Sequence, residues 1–437
     1  MKRKIYDDLL QWKKDKVNKK PLMVLGVRQC GKTYIVEEFC KNEYNNYCKI
    51  NLLQRPDIVE LFDKQINSEE KLNLLKTMIN CDIEDENNIL FIDEIQESEE
   101  MISQLKFLCE SHNNINIICA GSLLGVALKR LKKSFPVGKV WMLNMYPMDF
   151  EEFLLANNRQ AVVELLKEYY EKNKPLGSPL HEEMLRLYRI YLLTGGMPEA
   201  VQNIIDVKQD YSRYNTDILK NILNSYYKDM KKHVINDAEA LKIERVYNSL
   251  PSQLTNASKK FQFSVVGTDA KKDRFETAID WLIASHMIIK CDCVNLPEIP
   301  LAGFVDNETY KFYLSDVGIL CSILGLSVRD IVTDNISLYK GIITENFVAN
   351  QLICNGFRLF YWKSDATAEV DFLLYTSDGI IPLEVKSSDN TQSKSLKVYM
   401  NKYNPKYAIR VSTKDFGFDP NTKIKSVPLY AAFLIKE

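Results

Sequence analysis

The sequence predicts an α/β protein, with a parallel sheet in the first third of the chain and a smaller α/β domain at its end. Apolar runs at 22–25 and 89–92 each stop at a polar loop, as fully buried parallel strands do. Helical patterns dominate 151–326, and three predicted strands joined by short polar turns come after residue 358. This order predicts a sheet domain, a helical middle region and a final α/β domain.

The composition is that of an ordinary globular protein with several domains. The 437 residues are too many for one hydrophobic core, and 46% are hydrophobic. The 57 basic and 58 acidic residues argue against a protein that coats nucleic acid through bulk charge, although they allow a local basic patch. No apolar run approaches the roughly 20 residues that span a bilayer. We therefore expect a cytoplasmic protein without membrane contact, whose ten cysteines stay reduced.

A phosphate-binding loop follows the first predicted strand. Gly26, Gly31, Lys32 and Thr33 complete the pattern GxxxxGK[ST] between a strand and a helix. Backbone N–H groups in such a loop point at phosphate oxygens, and the helix N-terminus adds its dipole. We expect Lys32 to act in catalysis by reaching the β- and γ-phosphates of ATP, and the Thr33 hydroxyl to ligate Mg²⁺. The predicted nucleotide-binding residues of this segment are Gly26, Val27, Arg28, Gln29, Cys30, Gly31, Lys32, Thr33 and Tyr34.

A second strand ends in two carboxylates. The buried run 89–92 is followed by Asp93 and Glu94, at the strand end where parallel sheets bind their ligands. We expect Asp93 to complete the Mg²⁺ shell and Glu94 to orient or deprotonate the attacking water. Ser122 ends a third strand, where it is either a sensor of the γ-phosphate or simply a small polar residue at a strand end. Together the three strands predict a P-loop NTPase.

Two arginines are candidates for contacts near the nucleotide. An arginine often stabilises charge in the transition state of such enzymes. Arg130 lies in the basic run "LKRLKKSF", for which a solvated helix face is the simpler interpretation. Arg28, inside the phosphate loop, either contacts nucleotide or braces the loop.

Several stretches together resemble a known family. The stretches are "GVRQCGKT", "FIDEIQE", "AGSLLGVAL", "FPVGKVWMLNMYPMDFEEFL" and "GGMPEAV", followed in the expected order by "LSDVGIL", "TENFVANQL", "AEVDFLL" and "IIPLEVKSS". They resemble AAA+-type ATPases of bacteria and archaea that end in a domain of the restriction-endonuclease-like, PD-(D/E)xK superfamily. The resemblance implies an ATPase domain, a helical lid, a winged-helix region and a nuclease-like domain, and it makes a homo-oligomer plausible. The predicted boundaries are 1–150, 151–210, 211–326 and 327–437.

The predicted winged-helix region carries basic residues near its presumed recognition helix. They are Lys259, Lys260, Lys271, Lys272 and Arg274. Such an arrangement suits contacts to DNA phosphates and insertion into a groove. Winged helices also bind proteins, and lysines usually solvate a surface, so both alternatives stay open. Nucleic acid, with DNA favoured, is the predicted partner.

Charged residues interrupt the hairpin "EVDFLLYTSDGIIPLEVKSS" near the end of the chain. Glu384 and Lys386 are two apart and so share a face of their strand, and Asp371 lies on the neighbouring strand. The resemblance implies that Asp371, Glu384 and Glu345 hold Mg²⁺, and that Lys386 acts with Asp371 and Glu384 in catalysis. The alternative is an ion-paired cluster in a binding domain. The cost of burying unpaired acids favours the metal site over this alternative.

Three hypotheses for function follow. The first is an ATPase that acts on nucleic acid and controls a C-terminal metal-dependent nuclease. The second is an ATP-driven regulatory switch whose C-terminal domain only binds nucleic acid or protein. The third is an ATPase that remodels proteins.

Overall fold

The computed structural model describes residues 1–15, 19–112, 114–131, 136–256, 259–364, 367–388 and 393–436. Its helices are α1 Ile5–Lys14, α2 Lys32–Glu43, α3 Pro56–Asp63, α4 Ser68–Ile79, α5 Glu99–Ser111, α6 Leu124–Arg130, α7 Phe150–Ala156, α8 Gln160–Lys172, α9 Ser178–Thr194, α10 Pro198–Asp206, α11 Asp217–Asp229, α12 Asp237–Thr255, α13 Phe263–Val266, α14 Lys272–Ala284, α15 Val317–Ile323, α16 Val328–Val332, α17 Lys340–Cys354 and α18 Lys394–Tyr403. Its strands are β1 Leu22–Leu25, β2 Asn46–Asn51, β3 Asn88–Asp93, β4 Ile117–Ala120, β5 Trp141–Asn144, β6 Ile288–Val294, β7 Val305–Leu314, β8 Phe360–Lys363, β9 Glu369–Thr376, β10 Gly379–Val385, β11 Ala408–Ser412, β12 Gly417–Asp419 and β13 Ile424–Pro428. None of the helices in these ranges combines the length and apolarity needed to cross a membrane.

The first sheet is parallel, as predicted. Its strand order in the described residues is β2-β3-β4-β1-β5. Every residue of β1, β3 and β4 is buried, because helices cover both faces of the sheet. All five strands end at the same edge of the sheet. The phosphate loop after β1 and the carboxylates after β3 therefore lie on that edge.

The second sheet is mixed and has the order β12-β13-β11-β10-β9-β8-β6-β7. The predicted hairpin forms as β9 and β10, which pair antiparallel with Phe372 opposite Leu383. The strand predicted at 287–289 extends to Val294 as β6, and with β7 it forms a hairpin that pairs with β8 in parallel. Strands from both sides of the boundary predicted at residue 326 thus belong to one continuous sheet.

A glycine corner joins the segments. Gly195, with φ of +61°, and Gly196 lie between α9 and α10. The Gly196 carbonyl accepts from the Met148 N–H at 2.7 Å, and its N–H donates to Asp316 at 2.7 Å. Asp316 also caps α15 by accepting from the Ile319 N–H at 2.9 Å. Burial raises the pKa of this carboxyl to about 6, although its backbone donors oppose the rise.

One pair of cysteines is brought together by the fold, a pairing that the sequence analysis did not anticipate. Cys48 in β2 and Cys81, just after α4, form a disulfide with their Cα atoms 6.3 Å apart. They lie 33 residues apart in sequence, so no local spacing pattern indicated the pair. The bond joins the outermost strand of the first sheet to the helical segment packed beside it.

Gly195→Ala should destabilise the protein. A Cβ at this position would lie 2.1 Å from Asp316 Oδ1, and the positive φ adds backbone strain. We expect the free energy of unfolding, measured by urea titration, to fall by about 2–4 kcal/mol. Gly341→Ala is the matched control, since nothing lies within 4 Å of its added Cβ. Equal stability of both variants would contradict the role of the corner.

Candidate functional site

The phosphate loop is held in shape by its own lysine. Lys32 is buried at the start of α2, and its ammonium donates to the Gly26 carbonyl at 2.8 Å and the Val27 carbonyl at 2.9 Å. Gly26 packs so closely on β5 that a Cβ would lie 2.1 Å from the Met145 carbonyl oxygen. The loop therefore requires glycine at this position, and its lysine is already in place at the strand edge.

The predicted magnesium ligands face each other. The Thr33 hydroxyl lies 3.2 Å from both carboxylate oxygens of Asp93. Asn51 donates to the same carboxylate at 3.4 Å. Burial raises the pKa of Asp93, and the charge of Glu94 raises it further. The Thr33 hydroxyl and a buried carboxylate whose charge is not fully neutralised are oxygen ligands of the kind that Mg²⁺ prefers.

Glu94 is positioned by a residue that the sequence analysis did not single out. Its backbone is left-handed, with φ of +56°, and Gln96 Nε2 donates to Glu94 Oε2 at 2.5 Å. The side-chain oxygen of Gln96 packs against Gly121, where an added Cβ would lie 1.9 Å away. Gln96 thus connects the end of β3 with the turn that carries the buried Ser122. In the sequence, only the position of Gln96 two residues after Glu94 could have indicated this role.

Both candidate arginines are ion-paired with the middle of the chain. Arg28 Nη1 lies 2.9 Å from Asp229 at the end of α11, so it braces the loop. Arg130 contacts Glu239 of α12 at 2.5 Å and donates to the His233 carbonyl. The solvated helix face expected for Arg130 is therefore replaced by an ion pair. Residues 132–135 of the same basic run lie outside the described residues.

The chain's first residues also reach the phosphate loop. Arg3 is buried and donates to the Cys30 carbonyl at 2.8 Å and to the Tyr146 carbonyl at 2.7 Å, with Glu152 as its ion-pair partner. Beside it lies a cavity of about 310 Å³. The cavity is lined by Met1, Arg3, Gly31, Tyr34, Ile35, Pro198, Glu199 and Gln202. It opens between the phosphate loop and α10.

Beside the second sheet, Glu345 of α17 is buried among hydrogen-bond donors. Tyr313 donates to its Oε1 at 2.6 Å, and the Lys259 ammonium contacts its Oε2. Lys311 is fully buried, 3.5 Å from Glu345 Oε1 and 2.5 Å from Glu369 Oε1. The sequence analysis considered Lys259 for DNA contact, with a solvated surface as the alternative, and did not single out Lys311 or Glu369.

The hairpin carboxylates lie beside this group. Asp371 accepts from the Val385 N–H at 2.8 Å, and Glu384 Oε1 lies 2.6 Å from the Lys386 ammonium. Burial raises the pKa of Asp371 to about 7, and the charges of Glu345 and Glu384 contribute to the rise. Glu384 Oε2 is buried without a hydrogen-bond partner among the described residues.

The fold therefore gathers the four residues predicted for the C-terminal site, together with three additional charges. We call this group the acid cluster: Lys259, Lys311, Glu345, Glu369, Asp371, Glu384 and Lys386. Within the described ranges, which omit 389–392, no three acidic, histidine or cysteine side chains are grouped to hold a metal ion. Lysines contact Glu345, Glu369 and Glu384, whereas the described residues form no ion pair with Asp371. The metal site at Asp371, Glu384 and Glu345 therefore stays a prediction.

Two further basic residues that were considered for DNA contact also have partners within the chain. Lys272 pairs with Glu308 at 2.6 Å, and Lys260 donates to the Thr309 hydroxyl at 3.0 Å. Both partners belong to β7, so these lysines help to attach the region around α14 to the second sheet.

Comparison with family models divides the chain into three matched segments. Residues 18–154 match the model described as "AAA domain". Residues 18–154 are thus similar to AAA domains, in agreement with the phosphate loop and the parallel sheet of this segment. Residues 185–330 and 340–431 match two models, each described as a domain of unknown function, DUF8612 and DUF4143. A search of curated proteins gave no match.

Solved structures resemble the chain more distantly. A Walker-type ATPase of Pyrococcus abyssi is 17% identical, with 74% of this chain and 96% of that chain covered and a TM-score of 0.43. The ORC2 protein of Aeropyrum pernix is 12% identical, with 77% and 95% covered and a TM-score of 0.39. RuvB of Thermotoga maritima is 12% identical, with 65% and 86% covered and a TM-score of 0.30. Because these scores lie below 0.5, the ATPase assignment depends on the family match and the site geometry.

Lys311→Met should destabilise the second sheet. The change leaves Glu345 and Glu369 without their fully buried counter-charge, which costs about 3–5 kcal/mol in the free energy of unfolding. Urea titration measures the loss. The matched control is Lys406→Met, whose side chain is 65% exposed, and it should unfold like the wild type. If Lys311→Met were as stable as the wild type, this lysine would not be needed to stabilise the acid cluster.

Proposed function

We propose that this chain is an ATP-driven switch, in which Mg²⁺-dependent ATP hydrolysis by the N-terminal domain controls a C-terminal module that acts on nucleic acid. The observation that carries the proposal is the contact of the Thr33 hydroxyl with both oxygens of Asp93, next to Lys32 and Glu94. These four side chains supply a phosphate-binding cation, oxygen ligands and a base at one sheet edge.

Each residue has a defined task in hydrolysis. Thr33 and Asp93 would hold Mg²⁺, which, when bound, stabilises negative charge on the β- and γ-phosphates. Lys32 exchanges the carbonyls of Gly26 and Val27 for phosphate oxygens. Glu94, oriented by Gln96, accepts a proton from the water that attacks the γ-phosphorus. The bond from that phosphorus to the β-phosphate oxygen breaks as the new one forms, and ADP and phosphate leave.

The cavity beside the phosphate loop suits the adenine ring. Gly31 and Tyr34 line it at the start of α2, and Pro198 of α10 lines the opposite side. Pro198 is near enough that a Cβ on Gly31 would lie 3.3 Å from its Cγ. A base bound there contacts α10 directly. Nucleotide binding would then act on the glycine corner at Gly195.

Contacts from the ATP site to the rest of the chain support a switch. Arg28 joins the phosphate loop to α11, and Arg130 joins the end of α6 to α12. The Phe150 N–H, at the start of α7, donates to Gln351 of α17 at 2.9 Å. Movement at the ATP site is therefore transmitted through packed elements to both sheets.

Nucleic acid, with DNA favoured, is the proposed partner of the C-terminal module. Exposed Lys271 and Arg274 at the start of α14 support it, since they leave basic charge on the surface. Stimulation of ATP hydrolysis by DNA or RNA separates this partner from the alternative of a protein-remodelling ATPase. A protein substrate would leave the ATPase rate unchanged on addition of either nucleic acid.

Substitution of the base tests hydrolysis itself. Glu94→Gln should lower kcat for ATP by about 100-fold or more while ATP still binds, because the proton acceptor is lost and the ligands remain. Lys32→Ala should weaken ATP binding as well. Steady-state phosphate release and equilibrium nucleotide binding give the two measurements. Glu97→Gln, the same change three residues later, is the matched control and should retain the wild-type rate. Wild-type kcat in Glu94→Gln would overturn the assignment of the base.

Metal-dependent cleavage of nucleic acid is the second candidate function. It is favoured by the unpartnered, buried Oε2 of Glu384 beside Asp371 and Lys386. The lysine contacts in the acid cluster oppose it.

A cleavage assay decides between the switch and the nuclease. Purified protein is incubated with Mg²⁺ or Mn²⁺, with and without ATP, on single- and double-stranded DNA and RNA. Because Glu345, Glu369 and Glu384 are ion-paired with lysines, we expect no more cleavage by the wild type than by Glu384→Ala. Cleavage that is lost in Glu384→Ala would instead establish the nuclease.

A further inference from the structure

One histidine from the middle of the chain lies at the edge of the ATP site. His286 follows α14, whose C-terminal end packs against the ATPase domain. The Ala284 carbonyl oxygen is so close to Gly125 that a Cβ there would lie 2.2 Å from it. Gly125 belongs to the first turn of α6, just after Ser122 at the end of β4. The end of α14 is thus fixed beside the strand that carries the candidate phosphate sensor.

The His286 ring reaches towards the phosphate loop. Its Nε2 lies 3.2 Å from the Oδ1 of Asn144, the last residue of β5. Asn144 pairs with Leu25, the residue before Gly26, and the next residue, Met145, places its carbonyl against Gly26. The ring therefore contacts a residue, Asn144, whose strand partner Leu25 directly precedes the first glycine of the loop. A left-handed backbone, with φ of +60° at His286, turns the chain at this point.

The electrostatic surroundings of the ring are those of a phosphate site. Burial and, to a smaller extent, the positive charge of Lys32 lower the pKa of His286 to about 4, while a hydrogen bond to the Ala284 backbone opposes the change. The imidazole is thus neutral at physiological pH, and a phosphate oxygen would have to replace Asn144 Oδ1 or the Ala284 carbonyl as the acceptor of its single N–H. Lys32 is near enough to act on it, and Lys32 is the residue expected to bind the β- and γ-phosphates.

We propose that His286 is a ligand of the β- or γ-phosphate of the bound nucleotide, supplied to the ATP site by the middle region of the chain. The inference rests on the proposed ATP function and adds to it the element that detects the nucleotide. His286 is followed by Met287, whose carbonyl accepts from the Ser315 N–H at 3.2 Å, and then by β6. Since β6 pairs with β8, the phosphate contact acts directly on the second sheet.

The low histidine content of the chain allows a direct spectroscopic test. The chain has four histidines, so their imidazole ¹H–¹⁵N signals can be resolved in histidine-labelled protein. Addition of ADP or a non-hydrolysable ATP analogue should shift the His286 signal, and AMP, which lacks the β-phosphate, should not. The signal is assigned by its loss in His286→Gln. No shift of the His286 signal in protein saturated with ADP and the analogue would overturn the proposal.

Binding measurements supply the second arm. His286→Ala should weaken ADP and the ATP analogue by about 10-fold or more, and leave the affinity for AMP unchanged. His286→Gln keeps an N–H donor and should recover part of the loss. His112→Ala is the matched control, since that histidine contacts Glu69 and Glu84 far from the loop. Wild-type affinities in His286→Ala would contradict the proposal, whereas failure of the wild type to bind any nucleotide would refute the proposed ATP function itself.

Discussion

One buried carboxylate holds the architecture together. Asp316 accepts from Gly196 on one side and from the N-terminal turn of α15 on the other, while the Gly196 carbonyl accepts from Met148 behind the first sheet. A buried charge is tolerated only when such donors surround it. The corner between α9 and α10 therefore cannot move independently of either sheet. The turn before α10 and the N-terminal turn of α15 are therefore linked through one carboxylate.

The ATPase domain was predictable because its signals are local. The phosphate loop occupies eight consecutive residues, and the carboxylates Asp93 and Glu94 directly follow a run of four apolar residues. Strand, loop and helix are all encoded by neighbours in the chain. The predicted parallel sheet formed, and Thr33 and Asp93 came together as expected. The roles assigned to Glu94 and Ser122 stay predictions.

The sequence did not reveal the partners of the charged residues, because these partners are distant in the chain. Arg28 and Asp229 are 201 residues apart, and Lys259 and Glu345 are 86 apart. Periodicity identifies which face of an element is polar, but it does not tell which charge will meet it. The argument that burial of Asp371 and Glu384 calls for a metal was incomplete for this reason, and the metal site itself stays a prediction. It counted one lysine where the fold brings three into contact with the cluster.

Because β6 pairs with β8, the second sheet extends across the domain boundary predicted at residue 326. A fragment that begins at residue 327 would contain β8 without its neighbour β6. The backbone N–H and C=O groups on that side of β8 would then be unpaired. It would also contain Glu345 without Lys259 or Lys311. Exposed strand edges invite pairing between chains, and buried acids without countercharge oppose folding. The C-terminal part of the second sheet thus depends on the region that carries His286 both for a neighbouring strand and for part of its countercharge.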